Sequence, residues 1–459
     1  MSHYAWASHR TFPLQGEDLA VLADRNSGWC VLTRDEYLSL NAALPIRIGE
    51  ADAPAALDRL WAAGLATRDG LHADRALYQP STYPTAVLLK LTGTCNIECE
   101  YCYDYDAKRF KAQQSFASIR DTLQRLLDRQ DRISVAFHGG EPLLRFGLIQ
   151  DVVDWLAPHR ARIGYSIQTN ATRFTPAVLD FLDRHDFSVG ISLDGVDEAS
   201  NGLRTTRRSP TPLEGVRRLM RERPEFVRDR CGFLAVASQT SAPGLPAFAT
   251  WLQAFGVSGL SITFLDLAGR GAGLVDQRLS PDEAVELYRT LIGMIRRGEI
   301  KELGIRNLIA RMHNLFMLQS RDMCYRGPCG AAGDFLVLDA EGGQRTCDCV
   351  YHPYFEVEAA DVDAPSQSQP ARRAILDRHE WLRTEGDTCA TCPIFGLCGG
   401  TCVAKAIVRT GTDRSVDPVE CALSKYIYPE LLREFVAAER PLFEYYARHE
   451  AKPFEFLAA

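Results

Sequence analysis

The sequence predicts an α/β protein in which a partial barrel of six strand–helix units lies between a small N-terminal domain and a cysteine-rich C-terminal domain. Between residues 85 and 320, apolar segments of strand length alternate with segments of helix length. Repeated strand–helix units indicate a parallel sheet or barrel. Twelve of the 14 cysteines fall into two groups, at 95–102 and 324–421. Grouped thiols in a chain without signs of secretion indicate metal binding.

The N-terminal domain, residues 1–80, is expected to be winged-helix-like. Residues 18–33 predict two short strands around the turn Asn26-Ser27-Gly28. Residues 34–44 and 55–66 predict short amphipathic helices. A hairpin with short helices is typical of a winged-helix layout.

The barrel domain is predicted over residues 85–320. Strands are expected at 86–91, 133–138, 162–168, 188–193, 231–236 and 260–264, and helices between them at 116–129, 144–156, 176–184 and 213–221. Six units predict a partial barrel, since a closed one has eight. Ligands of such folds bind at the carboxyl ends of the strands.

Charge and hydropathy limit the partners and the location that can be expected for the protein. A net charge of −7 and a pI near 5.9 argue against nucleic acid as the main partner, because phosphate binding needs a basic face. The sequence has no apolar run of the roughly 18 residues that a membrane helix needs, and its N-terminus does not resemble a secretory signal. We therefore expect a cytoplasmic protein that binds neither membrane nor nucleic acid.

The first cysteine group directly follows the first predicted strand and has the spacing Cys95-x3-Cys99-x2-Cys102. A [4Fe–4S] cubane normally takes four cysteines, so three thiolates leave one iron open. An open coordination position is typical of catalytic metal sites. The alternative, a structural zinc site, would need a fourth ligand nearby, and the next histidine is His138.

This loop resembles the cluster motif of the radical S-adenosylmethionine (SAM) superfamily, which follows the first strand of a TIM-like partial barrel. The resemblance implies that Cys95, Cys99 and Cys102 hold a [4Fe–4S] cluster whose open iron is chelated by SAM. Reductive cleavage of SAM would give a 5′-deoxyadenosyl radical, with a flavodoxin- or ferredoxin-type reductant as the electron source. Tyr101 occupies the family's aromatic position before the third cysteine.

Polar residues at the ends of later strands match the family's SAM-binding segments in order. By resemblance, the SAM contacts are Tyr101, Gly139, Gly140, Glu141, Gln168, Asn170, Ser192 and Arg218. Glu141 would accept a hydrogen bond from the SAM ammonium group, and Arg218, rather than its neighbour Arg217, would face the carboxylate. Taken singly, each segment also reads as an ordinary loop cap or a solvated helix face.

The second cysteine group resembles the SPASM extension, which holds two auxiliary [4Fe–4S] clusters and is expected over residues 321–425, before C-terminal helices at 426–459. The resemblance assigns Cys324, Cys329, Cys347 and Cys402 to auxiliary cluster I, and Cys389, Cys392, Cys398 and Cys421 to auxiliary cluster II. Eight thiolates are what two fully ligated cubanes require. Cys349 departs from the pattern and could replace a ligand of the first set. A zinc ribbon is the alternative for any C-x2-C pair.

Auxiliary clusters imply a net oxidation of the substrate, because a cluster can accept the electron that a substrate radical must lose. The resemblance implies a maturase that installs a thioether or carbon–carbon cross-link, or a similar modification, in a ribosomally made peptide. The N-terminal domain is similar to elements that bind the leader of a precursor peptide as an added strand.

Two other functions stay open. One is an anaerobic, formylglycine-generating sulfatase maturase. In such relatives the aspartate at the place of Asp348 is proposed to deprotonate the substrate, as a general base would; its plain alternative is a surface or capping residue. The other, of a different class, is a non-catalytic iron–sulfur electron carrier or a zinc scaffold.

Overall fold

The computed structural model describes residues 2–48, 54–73, 81–204, 210–317, 322–358 and 361–450. The chain divides into two units. The terminal unit comprises Met1–Gln79, Asn307–Gly330 and Ile375–Ala459, and the barrel unit comprises Pro80–Arg306 and Ala331–Ala374. The last nine residues of the predicted C-terminal helices, 451–459, lie outside the described residues. The residue ranges of the four domains expected from the sequence stay predictions.

Short strands and two helices make up the N-terminal part of the terminal unit. They are β1 Ser2–Trp6, β2 His9–Pro13, β3 Asp18–Ala23, β4 Trp29–Thr33, α1 Arg34–Ala43, β5 Ile46–Ile48, α2 Ala55–Ala62 and β6 Ala66–Arg68. The predicted hairpin is confirmed, since β3 and β4 are antiparallel and pair Asp18 with Thr33. One sheet has the order β2-β3-β4 and a second has the order β5-β1-β6.

Capping and burial explain these elements. The Thr33 side chain caps α1 and Glu36 bonds back to the Thr33 backbone, a reciprocal capping box. Apolar side chains from both sheets and from α2 then form one core, which includes Tyr4, Val21 and Leu60.

The barrel unit alternates strands and helices as predicted. Its elements up to residue 305 are β7 Ala86–Lys90, α3 Phe116–Leu127, β8 Ile133–His138, α4 Phe146–Leu156, β9 Ile163–Thr169, α5 Pro176–Arg184, β10 Ser188–Ser192, α6 Pro212–Glu222, α7 Pro224–Arg230, β11 Cys231–Ala237, α8 Leu245–Phe255, β12 Gly259–Phe264, α9 Pro281–Arg296 and β13 Gly304–Ile305. Strands β7 to β13 are neighbours in chain order, and each adjacent pair is parallel. Each of the six predicted strands is confirmed.

The remaining elements are α10 Arg306–Phe316, β14 Phe335–Leu338, β15 Gln344–Arg345, α11 Pro370–Thr384, α12 Phe395–Cys398, α13 Val403–Thr410, α14 Pro418–Val436 and α15 Pro441–His449. Strand β14 pairs in parallel with β7, placing Leu336 opposite Val87, and β15 is antiparallel to β14. The cysteine-rich segment therefore contributes two strands to the barrel sheet.

The parallel order brings the carboxyl ends of β7, β8, β9 and β10 to one edge of the sheet. The loops that follow these strands carry the predicted cluster and SAM residues, so the fold gathers them at that edge. Within the described residues, the helices are too short or too polar to cross a lipid bilayer.

Candidate active site

Cys95, Cys99 and Cys102 lie on the irregular loop between β7 and α3. All three are unpaired and partly exposed, and their thiols are close enough to influence one another electrostatically. Burial raises the pKa of Cys95 to about 12 and that of Cys99 to about 11. Thiolates are the metal-binding form, so binding a metal here would release protons.

The spacing of these thiols can be compared with that of ligands on a single zinc ion. Four thiolates on one zinc ion at about 2.3 Å would stand about 3.8 Å apart. Within the described residues, Cys347, Asp348 and Cys349 form the only group of three potential ligands whose ligand atoms all lie within 4.8 Å of one another. At least two of the three loop thiols therefore lie more than 4.8 Å apart in the absence of a metal, a spacing compatible with thiolates that bind separate irons of one cluster.

Two glycines let the loop after β8 lie directly against the cysteine loop. Gly140 N donates to Thr92 O at 2.7 Å, and Glu141 N donates to Thr94 O at 3.0 Å. A Cβ on Gly140 would lie 2.1 Å from Thr94 O, and Gly139 has a φ of +114°. Both positions therefore require glycine.

Glu141 is buried and ties this loop to the end of β9. Its carboxylate accepts hydrogen bonds from Thr169 Oγ1 at 2.8 Å, Asn170 N at 2.9 Å and Leu143 N at 3.1 Å. Burial raises the pKa of Glu141 to about 7. Its predicted role as acceptor for the SAM ammonium group stays a prediction.

Asn170, Gln168 and Ser192 lie at the same strand ends. Asn170 Nδ2 donates to Cys95 Sγ at 3.7 Å, so this amide contacts a predicted cluster ligand. Gln168 Nε2 donates to Ser192 Oγ at 2.7 Å and thereby joins β9 to β10. Arg218 on α6 donates to Phe174 O at 3.0 Å. Contact of these residues with SAM stays a prediction.

A buried ion pair beside the cysteine loop was missed from the sequence. Arg204 Nε lies 2.9 Å from Asp194 Oδ2, and Arg204 Nη2 donates to Asp194 Oδ1 at 3.0 Å. Tyr101 also donates its hydroxyl hydrogen to Asp194. Asp194 lies two residues after Ser192, one of the predicted SAM contacts, whereas nothing in the pattern around Arg204 marked it as a partner.

Asp348 lies against the same loop. Its Oδ2 accepts a hydrogen bond from Tyr103 Oη at 3.2 Å, and its carbonyl oxygen accepts one from Lys90 Nζ at 3.3 Å. Lys90 is buried at the end of β7 and also donates to Asp104. The burial of Lys90 was not predicted, because a lysine at a strand end ordinarily faces solvent.

The terminal unit holds a second group of thiols, Cys389, Cys392, Cys398 and Cys421, which influence one another electrostatically. Burial raises the pKa of Cys389 to about 12 and that of Cys421 to about 11. The structure thus brings together the set predicted for auxiliary cluster II. Arg10 on β2 donates to Cys389 O at 2.6 Å and to Cys392 O at 2.8 Å.

The four cysteines predicted for auxiliary cluster I belong to different units. Cys324, Cys329 and Cys402 belong to the terminal unit, and Cys347 belongs to the barrel unit. A side-chain hydrogen bond with Cys347 is the main cause that raises the pKa of Cys349. The ligand set and the role of Cys349 stay predictions.

Comparison with known proteins matches part of the barrel unit to a family profile. Residues 89–237 match the profile of the Radical SAM superfamily. The uncharacterized protein MJ0907 of Methanocaldococcus jannaschii is 31% identical over 182 residues, which are 39% of this chain and 62% of that relative. The mycofactocin maturase MftC of Mycobacterium tuberculosis is 26% identical over 354 residues, 76% of this chain and 86% of MftC. This chain thus spans less than two thirds of MJ0907 and most of MftC.

Two solved structures share the fold. One is anSMEcpe with bound AdoMet and the Cp18Cys peptide, with a TM-score of 0.60, 19% identity, and coverage of 76% of this chain and 98% of that one. The other is Streptococcus suis SuiB bound to precursor peptide SuiA, with a TM-score of 0.55, 14% identity, and coverage of 91% and 99%. The profile match identifies a radical SAM domain at residues 89–237, and the two solved structures share the fold of this chain.

Proposed function

We propose that this protein is a radical SAM maturase that abstracts a hydrogen atom from a ribosomally made peptide and oxidatively installs a cross-link. The observation that carries the proposal is the loop of three unpaired thiols at the carboxyl edge of a parallel sheet. The three thiols supply one ligand fewer than a cubane takes, which leaves one iron open. Similarity to a maturase and to proteins solved with bound peptides supports a peptide substrate.

The residues of the barrel unit have distinct roles in this proposal. Cys95, Cys99 and Cys102 bind the [4Fe–4S] cluster, and Gly139 and Gly140 hold the neighbouring backbone against their loop. A reduced cluster held by these cysteines would, with SAM bound, supply the radical chemistry that abstracts the hydrogen atom. Asp348, beside the cysteine loop, takes the proton that the substrate must lose when it is oxidised.

The cysteines of the C-terminal region hold two auxiliary clusters, giving three in all. Cys389, Cys392, Cys398 and Cys421 bind one of them, and their proximity in the terminal unit supports this set. Clusters held by these cysteines would supply an acceptor for the electron that the oxidised substrate loses, and a flavodoxin- or ferredoxin-type protein would supply the electron for SAM cleavage. The N-terminal sheets bind the leader of the precursor at a free edge. We place the enzyme in the cytoplasm.

The test is anaerobic reconstitution with iron, sulfide, SAM and a reductant, together with a candidate precursor peptide taken from a short reading frame near the gene. Mass spectrometry of the peptide is expected to show the loss of two hydrogens for each cross-link. The Cys99→Ala variant is the matched control and is expected to form neither 5′-deoxyadenosine nor product. An unmodified peptide with SAM cleavage intact would exclude this substrate class.

The second candidate is a formylglycine-generating sulfatase maturase. The contact between Asp348 and Tyr103 favours it equally, since both functions need a base beside the cysteine loop. A sulfatase peptide carrying the target cysteine or serine separates the two. Conversion of that residue to formylglycine, with no reaction on the neighbouring precursor, would establish the second function.

A further inference from the structure

A cavity of about 450 Å³ lies on the inner side of the barrel sheet, here called the lumen. The interior of a parallel barrel is ordinarily filled by branched side chains. Here the lining positions of β9 to β12 carry small residues instead, among them Ser166, Gly190, Gly232 and Ser261. The cavity extends from Gln168, a predicted SAM contact, to the amino ends of β11 and β12. Its volume is that of a small-ligand site.

Gly232 lies within β11 although its surroundings do not require glycine. It stands opposite Gly190 on β10, and the next residue, Phe233, stands opposite Leu260 on β12, so the strand is regularly paired here. Among the described residues, a Cβ on Gly232 would meet only Gly259 O, at 3.7 Å, an ordinary van der Waals distance. Glycine weakens a strand, and it is found where a bulge, a bend or the close approach of a ligand requires it. The regular pairing and the open space favour the approach of a ligand.

Arg306 adds a positive charge to the lumen. Its Nε would lie 2.7 Å from a Cβ on Gly259, and both residues line the cavity, so the guanidinium lies inside the lumen against β12. With the described residues, Arg306 forms neither a hydrogen bond nor an ion pair. Arg230, at the same end of the cavity, is instead bound by Asp183 at 3.2 Å and by Asp186 at 2.8 Å. Arg306 is therefore the lining cation that the fold leaves available to a ligand.

The lining favours a peptide that carries a carboxylate. A guanidinium binds a carboxylate through paired hydrogen bonds. The rest of the lining includes serine hydroxyls and the Gln168 amide oxygen, which can pair with the polar groups of a peptide backbone. Asp229 also lines the cavity, but it lies two residues before β11 and so stands at the amino rim. A carboxylate would therefore find its partner inside the lumen rather than at the rim.

We propose that the lumen binds the part of the substrate peptide that bears a carboxylate, with the carboxylate on Arg306 and the reacting residue at the carboxyl edge of the sheet. This inference rests on the proposed function, since it takes the substrate to be a peptide. The lining runs along β11 from Cys231 to Leu234, roughly 10 Å at about 3.3 Å per residue. The carboxylate, from the C-terminus or from an acidic side chain of the peptide, therefore stands about three extended residues from the modified one.

The test compares three forms of the candidate precursor peptide on the reconstituted holoenzyme. One form has a free C-terminal carboxylate, one has a C-terminal amide, and one keeps the free C-terminus but has Asn or Gln for each Asp or Glu near the modified residue. Neutralising the bound carboxylate is expected to lower kcat/KM by about tenfold or more, the effect of losing a charge-assisted hydrogen bond, and the form affected identifies its source. Arg306→Gln is expected to lose the same factor with the free acid and to treat all three forms alike.

Gly232→Leu fills the lumen directly. The new side chain enters open space, so the variant is expected to keep its iron content and its thermal unfolding temperature while KM for the free-acid peptide rises by the same factor. The control is Gly147→Leu in α4. Gly147 is exposed and a Cβ there meets nothing within 4 Å, so KM is expected to stay that of wild type. If Gly232→Leu does not hold its clusters, the comparison of peptide forms on Arg306→Gln decides.

Equal kcat/KM for the three peptide forms on wild type would overturn the inference. So would an unchanged KM in a fully loaded Gly232→Leu, or an Arg306→Gln variant that still distinguishes the forms. A wild-type enzyme that leaves the free-acid peptide unmodified would instead count against the proposed function. The two failures are therefore distinguishable.

Discussion

The Tyr103 hydroxyl donates a hydrogen bond to Oδ2 of Asp348, 3.2 Å away, across 245 positions of sequence. Tyr103 directly follows the third cysteine of the SAM-cluster motif, so the bond joins the proposed base to the proposed radical source. Cys349 Sγ lies 3.7 Å from Asp348 Oδ1, on the other carboxylate oxygen. The carboxylate is thereby oriented by groups on two separate loops of the barrel unit.

Replacing the Asp348 carboxylate is expected to separate SAM cleavage from peptide modification. Asp348→Asn is expected to keep 5′-deoxyadenosine formation and to lower peptide modification by about 100-fold or more, the usual contribution of a general base. Liquid chromatography with mass spectrometry measures both products in one sample. Tyr103→Phe removes only the orienting bond, so a smaller loss is expected.

The control is Asp106→Asn. Asp106 lies on the same loop as Tyr103, and its carboxylate is 3.6 Å from Arg109. This exchange is expected to leave both SAM cleavage and peptide modification unchanged. Equal modification by wild type and Asp348→Asn would show that Asp348 is a structural residue.

Gly140→Ala is expected to displace the cysteine loop, because the new Cβ would lie 2.1 Å from Thr94 O. The iron content should fall by about four atoms per chain, one cubane. Gly147→Ala is the matched control, since a Cβ there meets nothing within 4 Å. Colorimetric iron analysis after anaerobic reconstitution checks both variants, and full iron in Gly140→Ala would show that this contact does not hold the loop.

Arg10 is expected to be needed for the cluster on Cys389, Cys392, Cys398 and Cys421. Its guanidinium donates to the carbonyl oxygens of Cys389 and Cys392, and to Arg383 O at 3.1 Å. Arg10→Gln cannot make all three bonds, so about four iron atoms should be lost while SAM is still cleaved. The exposed Arg47 supplies the control, Arg47→Gln. Unchanged iron in Arg10→Gln would refute the dependence.

Glu141 predicts a pH dependence of stability. Burial raises the pKa of Glu141 from 4.5 to about 7, so the folded state binds the proton more tightly than the unfolded state. Stability should therefore fall as the pH rises from about 5 to about 7, by about 3 kcal/mol for this one group. Glu141→Gln removes the titration. Anaerobic urea unfolding at pH 5 and pH 8 should show wild type losing stability relative to the variant, and parallel pH profiles would contradict the assignment.

The sequence predicts well what depends on local pattern. Each barrel strand is an apolar run of the right length, and the hairpin around Asn26 has a recognisable turn. The cysteine motifs are equally local. For this reason the strands β7 to β12, the helices α3 to α6 and the proposed ligand sets could be stated in advance.

Contacts between distant residues were not predictable in the same way. Arg204 pairs with Asp194 only because the segment after β10 folds back, and Lys90 is tolerated in the core only because Asp104 approaches from an irregular loop. The four residues of β14 were missed because so short an apolar run carries no period of its own. β14 forms through pairing with β7, a tertiary contact.

The proposed function depends on an iron cluster that lacks one protein ligand, and Mössbauer spectroscopy detects such a cluster directly. A variant that keeps Cys95, Cys99 and Cys102, and has alanine at Cys324, Cys329, Cys347, Cys389, Cys392, Cys398, Cys402 and Cys421, should be reconstituted with ⁵⁷Fe and measured with and without SAM. We expect a single [4Fe–4S] signal in which one iron site changes its parameters when SAM is added. A loop that holds tetrahedral zinc, or a cluster whose iron sites are all unaffected by SAM, would contradict it.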